Sequence, residues 1–503
     1  MPRRSRHHPP PGPLHWQDMG ATEMLTPGDI WRVKAVVVGS VRAFGAIALS
    51  FLSTGCLVGP NYQRPQMPSP QQFRFVEGAQ AESLADAPWF KVFDDPALQT
   101  LIKDAIASNL DLRAAVARVE EMRARAGVAK SYLYPQIDAG ADYRARGATR
   151  AQADENGDEE DTFHQNTSYG FQLGWELDLF GKLRRQNEAA LALALASEQA
   201  RRGVMVTLVG DVASSYFLLR ELDLQLIIAR QTLDINDQTV TYFQNRLDGG
   251  VSNRLEVDRI RALRARTAAT IPNIEQRIAT VENEISLLLG RPPGGIAREP
   301  LAPDVPLPPQ VPPGLPTSLL ERRPDVTEAE QFLVAANADI GAAKALFYPT
   351  ISLTGFFGGV SGDLTTFLGG SGGIWSVGAG LLQPIYNGGR LRRNSEAAQA
   401  RYDQALAMYQ KAALNGYREV ADSLISIQKL AEERVQHEAG VVVLVDAADL
   451  ARARYDSGLA SYIEILTADQ DLFEQQLRLA QTRGEEFRAR SELYRALGGG
   501  WQP

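Results

Sequence analysis

One cysteine, Cys56, stands among 503 residues, so no disulfide can form within the chain. Histidine is nearly as scarce: five in all, with only His164 and His437 after Cys56. Behind Cys56 there is no zinc-ligand spacing, no phosphate-cradling Gly-rich loop and no Gly-x-Ser-x-Gly elbow. Those gaps leave no constellation for an enzyme and direct attention to assembly. Basic charge is short as well. Residues 1–55 carry six Lys/Arg against three Asp/Glu, so the net charge of −8 becomes −11 without them. An acidic surface argues against nucleic acid as a partner. Proline is missing from Gly181 to Asp248 and again from Arg390 to Asp456.

What is present is one design written twice. Gly181-Lys182-Leu183-Arg184-Arg185 returns as Gly389-Arg390-Leu391-Arg392-Arg393, and Arg246-Leu247-Asp248-Gly249-Gly250 as Arg454-Tyr455-Asp456-Ser457-Gly458. Glu188-Ala189-Ala190 matches Glu396-Ala397-Ala398, and Glu256 falls on Glu464, all at an offset of 208. Upstream, Ala129-Lys130 and Tyr134-Pro135 match Ala343-Lys344 and Tyr348-Pro349 at an offset of 214. A chain built twice over is a symmetric framework.

At the front, Arg32, Lys34 and Arg42 flank a short apolar core, Ala43 to Leu52, followed by Ser53-Thr54-Gly55 and Cys56. The core is too short to span a bilayer as a helix. The arrangement resembles a bacterial lipoprotein signal, with Cys56 as the lipidated first residue; a free cysteine behind an ordinary signal peptide is the competing reading. Leu52 lies one place earlier than that signal's usual leucine. Leu57, in place of an aspartate, favours outer-membrane sorting by analogy. Residues 1–31 are rich in Pro and His, which makes Met19 or Met24 an alternative start.

Helical spacing begins at Pro96, with Leu98, Leu101, Ile102 and Ala105 on one face, and a second helix carries Leu112, Val116, Val119 and Val128. Strict alternation follows. Ile137, Ala139, Ala141, Tyr143 and Ala145 are apolar against Gln136, Asp138, Asp142 and Arg144; Tyr169, Phe171, Leu173, Trp175, Leu177 and Leu179 repeat the pattern. The second copy has Ile351, Leu353 and Phe357, then Trp375, Val377, Ala379 and Leu381, for four strands in all. Period two over about ten residues marks a strand with one apolar and one wet face, long enough for a tilted transmembrane strand. Each proline-free stretch reads as one helix of about 65 residues, roughly 100 Å. Gly250 and Gly458 end these helices, and a shorter helix returns from each, the first with Pro272 expected to kink it.

The expected plan is a leader over 1–55, a lipidated extended tether over 56–95 and a first repeat over 96–290. That repeat holds a β-hairpin at about 135–179, a long helix at about 181–248 and a return helix at about 252–290. A Pro-rich linker spans 291–323, with ten prolines between Arg291 and Pro316. The second repeat, 324–497, holds a hairpin at about 349–386, a long helix at about 390–457 and a return helix at about 460–497, leaving a tail over 498–503.

Four amphipathic strands cannot close a barrel, and open edges cannot face lipid. Two chains give too few strands for a wide lumen, whereas three give twelve. The expected fold class is therefore an α+β membrane protein. It is a trimer whose four transmembrane strands per chain form a shared barrel, continued by a long helical barrel built from two internal repeats.

Trp89…Phe93-Asp94-Asp95-Pro96-Ala97-Leu98, Asn109-Leu110-Asp111-Leu112 and Trp175-Glu176-Leu177-Asp178-Leu179-Phe180-Gly181 resemble the TolC-like outer-membrane efflux proteins. More specific are Leu320-Glu321-Arg322-Arg323-Pro324-Asp325-Val326, Ala335-Ala336-Asn337-Ala338 and Ile340-Gly341-Ala342-Ala343-Lys344. Val58-Gly59-Pro60-Asn61-Tyr62…Arg64-Pro65 is similar to the lipoprotein branch, the NodT- and OprM-like channels, and the resemblance runs from Cys56 to about Leu497. It implies a homotrimer in the outer membrane, lipid-anchored and extending into the periplasm, with no cofactor beyond the lipid on Cys56. The implied partners are a periplasmic adaptor and an inner-membrane pump, of RND type, and the implied work is passive conduction of small toxic compounds.

The resemblance also implies site residues. The turns at Gly250 and Gly458, with Ser252 and Ser461 beside them, would lie at the periplasmic end, where the tube closes and the adaptor docks. Glu464 matches a pore-constricting acid and Glu256 is its counterpart; the place of a relative's second acid is Thr467, with Asp469 nearby. Tyr455, Arg454 and Arg246 would keep that end shut. Exposed helix-end glutamates and ordinary helix packing are the competing readings. Asp154-Glu155…Asp158-Glu159-Glu160-Asp161 reads as a solvated outer loop, with cation binding as the alternative. Trp175, Trp375 and Tyr169 read as interfacial aromatics or as packing at the barrel base. Rival functions are a duct for secreted proteins and a non-conducting coiled-coil spacer, the latter disfavoured by the alternating strands.

Overall fold

The computed structural model describes residues 57–68, 70, 73, 95–147, 163–299, 319–361 and 373–499. Cys56 and the leader, Trp89, Phe93-Asp94, the acidic loop, the linker's 300–318 and the end of the tail lie outside the described residues.

Asp95 starts the first helix by accepting from the backbone N–H groups of Ala97 (2.9 Å) and Leu98 (3.1 Å), with Pro96 at the first turn. This helix, α1 (Pro96–Ser108), is followed by α2 (Leu110–Ser131), β1 (Gln136–Gly147), β2 (Phe163–Leu177), α3 (Lys182–Asp248) and α4 (Arg254–Leu288). The second half runs α5 (Leu319–Arg322), α6 (Pro324–Ala345), β3 (Thr350–Ser361), β4 (Gly373–Leu382), α7 (Arg390–Asp456) and α8 (Tyr462–Ala496). Lengths agree across the halves: 22 residues for α2 and α6, 67 for α3 and α7, 35 for α4 and α8. Each long helix therefore measures about 100 Å. Pro272 lies inside α4, which continues through it.

The first hairpin is shorter than the alternation suggests, and the second ends short of its expected bound at about 386. Leu179 falls beyond β2 because Asp178 leaves the ladder to cap α3, accepting from the N–H groups of Leu183 (3.1 Å) and Arg184 (2.8 Å). β4 stops at Leu382, two residues before Pro384, which has no N–H to donate.

The four strands form one antiparallel sheet in the order β1-β2-β3-β4. Its register sets Ala139 opposite Phe171, Phe171 opposite Phe357, and Phe357 opposite Trp375. Ile137, Leu173, Val377 and Leu381 belong to the same face, on which most large side chains are exposed. The other face carries Asp138, Gln172 and Ser376 at matching registers. Among the described residues, β1 and β4 each have one strand neighbour, so both outer edges are open.

The main core sits about halfway along α3 and α7. Leu98 and Ile102 of α1, Val212, Tyr216 and Leu219 of α3, Ile285 of α4, Val420 of α7 and Phe487 of α8 are buried together, and Phe217 stacks on Phe487 with centroids 4.9 Å apart. By length and composition α3 is apolar enough to cross a membrane, but its apolar window is mostly buried in the protein.

The duplicated sequence is matched by duplicated contacts. Asn109, which caps α2, also donates through Nδ2 to the Leu288 carbonyl at the end of α4 (2.9 Å). Arg323, immediately before α6, donates through Nη1 to the Ala496 carbonyl at the end of α8 (2.7 Å). The two donors are 214 positions apart and the two acceptors 208, the same offsets as in the sequence. Likewise Trp175 Nε1 donates to the Leu133 carbonyl and Gln383 Nε2 to that of Phe347, both at 3.1 Å.

Candidate functional site

The two long helices end in the same way. Gly250 (φ 74°) and Gly458 (φ 72°) adopt left-handed backbone that favours glycine. Val251 N–H then bonds to the Arg246 carbonyl (2.9 Å) and Leu459 N–H to that of Arg454 (2.8 Å), which satisfies carbonyls the helix leaves free.

Beyond the turns the copies diverge. Asn253 caps α4, its Oδ1 accepting from Glu256 N–H (3.0 Å) and its Nδ2 donating to Glu256 Oε1 (3.0 Å). Ser252 Oγ donates to Glu256 Oε2 (2.5 Å), so both oxygens of that carboxylate are engaged locally. Ser461 stands before α8 without a side-chain capping bond. Glu464 is half-exposed, with Oε2 3.6 Å from Arg454 Nε, and Arg454 Nη2 also reaches the Leu459 carbonyl (3.4 Å).

A polar knot joins the two helix ends. Tyr242 donates its hydroxyl to Asp456 Oδ1 (3.3 Å) and accepts from Arg246 Nη1 (3.1 Å). The Arg246 guanidinium lies 5.6 Å from the Tyr242 ring centre and 5.3 Å from that of Tyr455. Its hydrogen bond to the Tyr242 hydroxyl raises its pKa further. Beneath the knot is a small core of Phe243, Val257, Ile260, Ala451, Tyr462 and Ile465. Phe243 packs 4.1 Å from Tyr462 and 5.5 Å from Tyr455, and burial pushes both phenols up.

Of the expected residues, Arg246 and Tyr455 meet in this knot, while Arg454 and Glu464 pair a short distance away. Glu256 faces its own helix start. Tyr242, Asp456 and Phe243 were not singled out from sequence. Their signal is that Tyr242 lies four residues before Arg246, one helical turn away, and that Asp456 ends its helix next to Tyr455. Asp469 is buried and paired with Arg452, and its burial pushes the carboxyl up, with Arg452 opposing. On the sheet, Trp375 is exposed on the apolar face, whereas Trp175 is part-buried through its bond to Leu133.

The family profile described as Outer membrane efflux protein matches residues 101–291 and 315–499. The chain belongs to the outer membrane efflux protein family. Like its family, this efflux protein lies in the outer membrane and extends into the periplasm. It is similar to the cation efflux system protein CusC of Escherichia coli O6:H1, 34% identical over 452 residues, covering 89% of this chain and 96% of CusC. It is as similar to SrpC of Pseudomonas putida, a solvent efflux pump outer membrane protein, 35% identical over 455 residues with the same 89% and 96% coverage. The solved outer-membrane channel OprN matches the efflux protein with a TM-score of 0.81 at 31% identity, covering 89% of this chain and all of OprN.

Proposed function

We propose that three copies of this efflux protein share one twelve-stranded outer-membrane barrel and continue below it as a helical tube. This tube is the exit duct of a tripartite system fed by a periplasmic adaptor and an inner-membrane pump, of RND type. The observation that carries the reading is a four-stranded sheet with one apolar face and two open edges, followed directly by two 67-residue helices. Lipid cannot satisfy an open edge, so other copies must.

In this reading the turns lie at the periplasmic end. Val251, Leu255, Leu459 and Ile463 expose apolar surface around them, suited to an adaptor that docks at Ser252, Ser461 and the two glycines. Glu464, the freer of the paired acids, supplies a three-fold ring at the constriction, where like charges resist close approach. The knot of Tyr242, Asp456, Arg246 and Tyr455 holds the end shut. Cys56 carries the lipid.

Relatives of nearly equal identity bear names for cations and for solvents, which supports a duct that passes small toxic compounds and leaves selection to the pump. Electron microscopy of the detergent-purified protein tests the assembly. A three-fold hollow particle of about 130 Å, the long helix plus a bilayer core, is expected, and a solid rod or a particle without three-fold symmetry overturns it. In planar bilayers Tyr242→Phe is expected to raise the open fraction several-fold, as loss of hydrogen bonds worth about 1 kcal/mol implies. Unchanged conductance removes the knot from the gate.

A further inference from the structure

We propose that Tyr386, just after β4, stacks on Tyr134, just before β1, of a second copy of this chain, forming the aromatic seam between protomers. The proposal rests on the shared-barrel reading and names the side chains that close it.

The precedent lies inside the chain. β2 and β3 pair as far as Leu177 opposite Ile351. Immediately beyond, Phe180 stacks on Tyr348, with centroids 4.8 Å apart and planes inclined by 20°. Tyr348-Pro349 is repeated as Tyr134-Pro135. Phe180 falls three residues past the end of β2, and Tyr386 falls four past the end of β4. The sidewall between the halves of one chain is thus an aromatic after one strand set on the tyrosine that precedes the next.

The two open edges carry exposed aromatics close to the same places: Tyr134 is the counterpart of Tyr348, and Tyr386 lies two residues before Gly388, the position that the 208 offset sets against Phe180. Beyond β4, Ile385 is 88% exposed and Tyr386 91%, the two most exposed large apolar side chains among the described residues. Before β1, Tyr132 is 56% exposed and Tyr134 58%. Joining β4 of one copy to β1 of the next brings these bare rings to one place. Head-to-tail continuation of the sheet, β4 against β1, is antiparallel and satisfies both edges in a closed ring.

Cross-linking in membranes tests this. Tyr134→Cys and Tyr386→Cys are combined in the full chain and treated with a short bismaleimide. Covalent dimers and trimers are expected from the double variant. Neither single variant should give them, nor should the parent chain, whose one cysteine is Cys56. Phe180→Cys with Tyr348→Cys should link within one chain and stay at monomer mass. A native mass of three copies without interchain links overturns the seam and leaves the trimer standing; a monomeric native mass overturns both. A second readout covers variants that fold poorly. Tyr386→Ser is expected to lower the temperature at which trimers survive detergent gels, with Tyr386→Phe unchanged, and equal survival of both variants overturns the proposal.

Discussion

Gly458 turns the chain at φ 72° with no atom within 4 Å of the place a Cβ would occupy. Alanine there meets backbone strain and no clash, so Gly458→Ala is expected to cost about 1–2 kcal/mol in denaturant unfolding. Gly484 is the opposite case, since a Cβ there would sit 2.3 Å from Glu221 Oε2, a buried carboxylate paired with Arg488. Gly484→Ala should cost more, because it displaces a buried ion pair; equal losses for the two alanines would contradict this. Asp469 carries a pH prediction. Its folded pKa is raised by burial, so its contribution is fully present below the unfolded value and is lost as pH rises through the folded one. The first turns of α8 should therefore exchange amide hydrogens more readily as pH climbs above the ordinary Asp value of about 4, beyond the intrinsic rate. Asp469→Asn should flatten that excess, and equal slopes in both proteins refute the assignment.

At the level of elements, the ends of α4 and α8 are tied by different chemistry in the same place. Asn109 uses a neutral amide; Arg323 is a buried guanidinium that also pairs with Asp325 and Glu419 at 2.7 and 2.8 Å. Asn109→Ala is expected to fray the end of α4 at about 1 kcal/mol, the worth of a cap. Arg323→Ala should loosen the end of α8 by more than that, yet by less than the roughly 3–5 kcal/mol of a fully buried pair, because the two carboxylates that lose their partner are partly exposed. Local hydrogen exchange at Ile285–Arg291 and Leu493–Gly499 separates the two, and the reverse pattern defeats the reading. These ties were hidden in the sequence. Alternation exposes β1 because its side chains divide between two environments, and lack of proline exposes α3 and α7. A donor 179 residues from its acceptor follows from packing, which one helix's periodicity does not encode. The same applies at the helix turns. Duplication and resemblance draw attention to Arg246 and Tyr455, while the Tyr242–Asp456 contact, across 214 residues, depends on how α3 and α7 come together. β2 ends two residues before the alternation does because Asp178 continues the polar phase while already serving as a cap.

For the whole molecule, open strand edges and a one-sided apolar sheet make the lone chain sticky. Without detergent the purified protein is expected to sediment as aggregate, and a soluble monomer in plain buffer contradicts the membrane assignment. The agreement of helix lengths, 22 with 22, 67 with 67 and 35 with 35, reaches further. Staves of one cask must be cut to one measure, or the rim will not meet the base. A lineage can lengthen or shorten this conduit only by editing both halves in step.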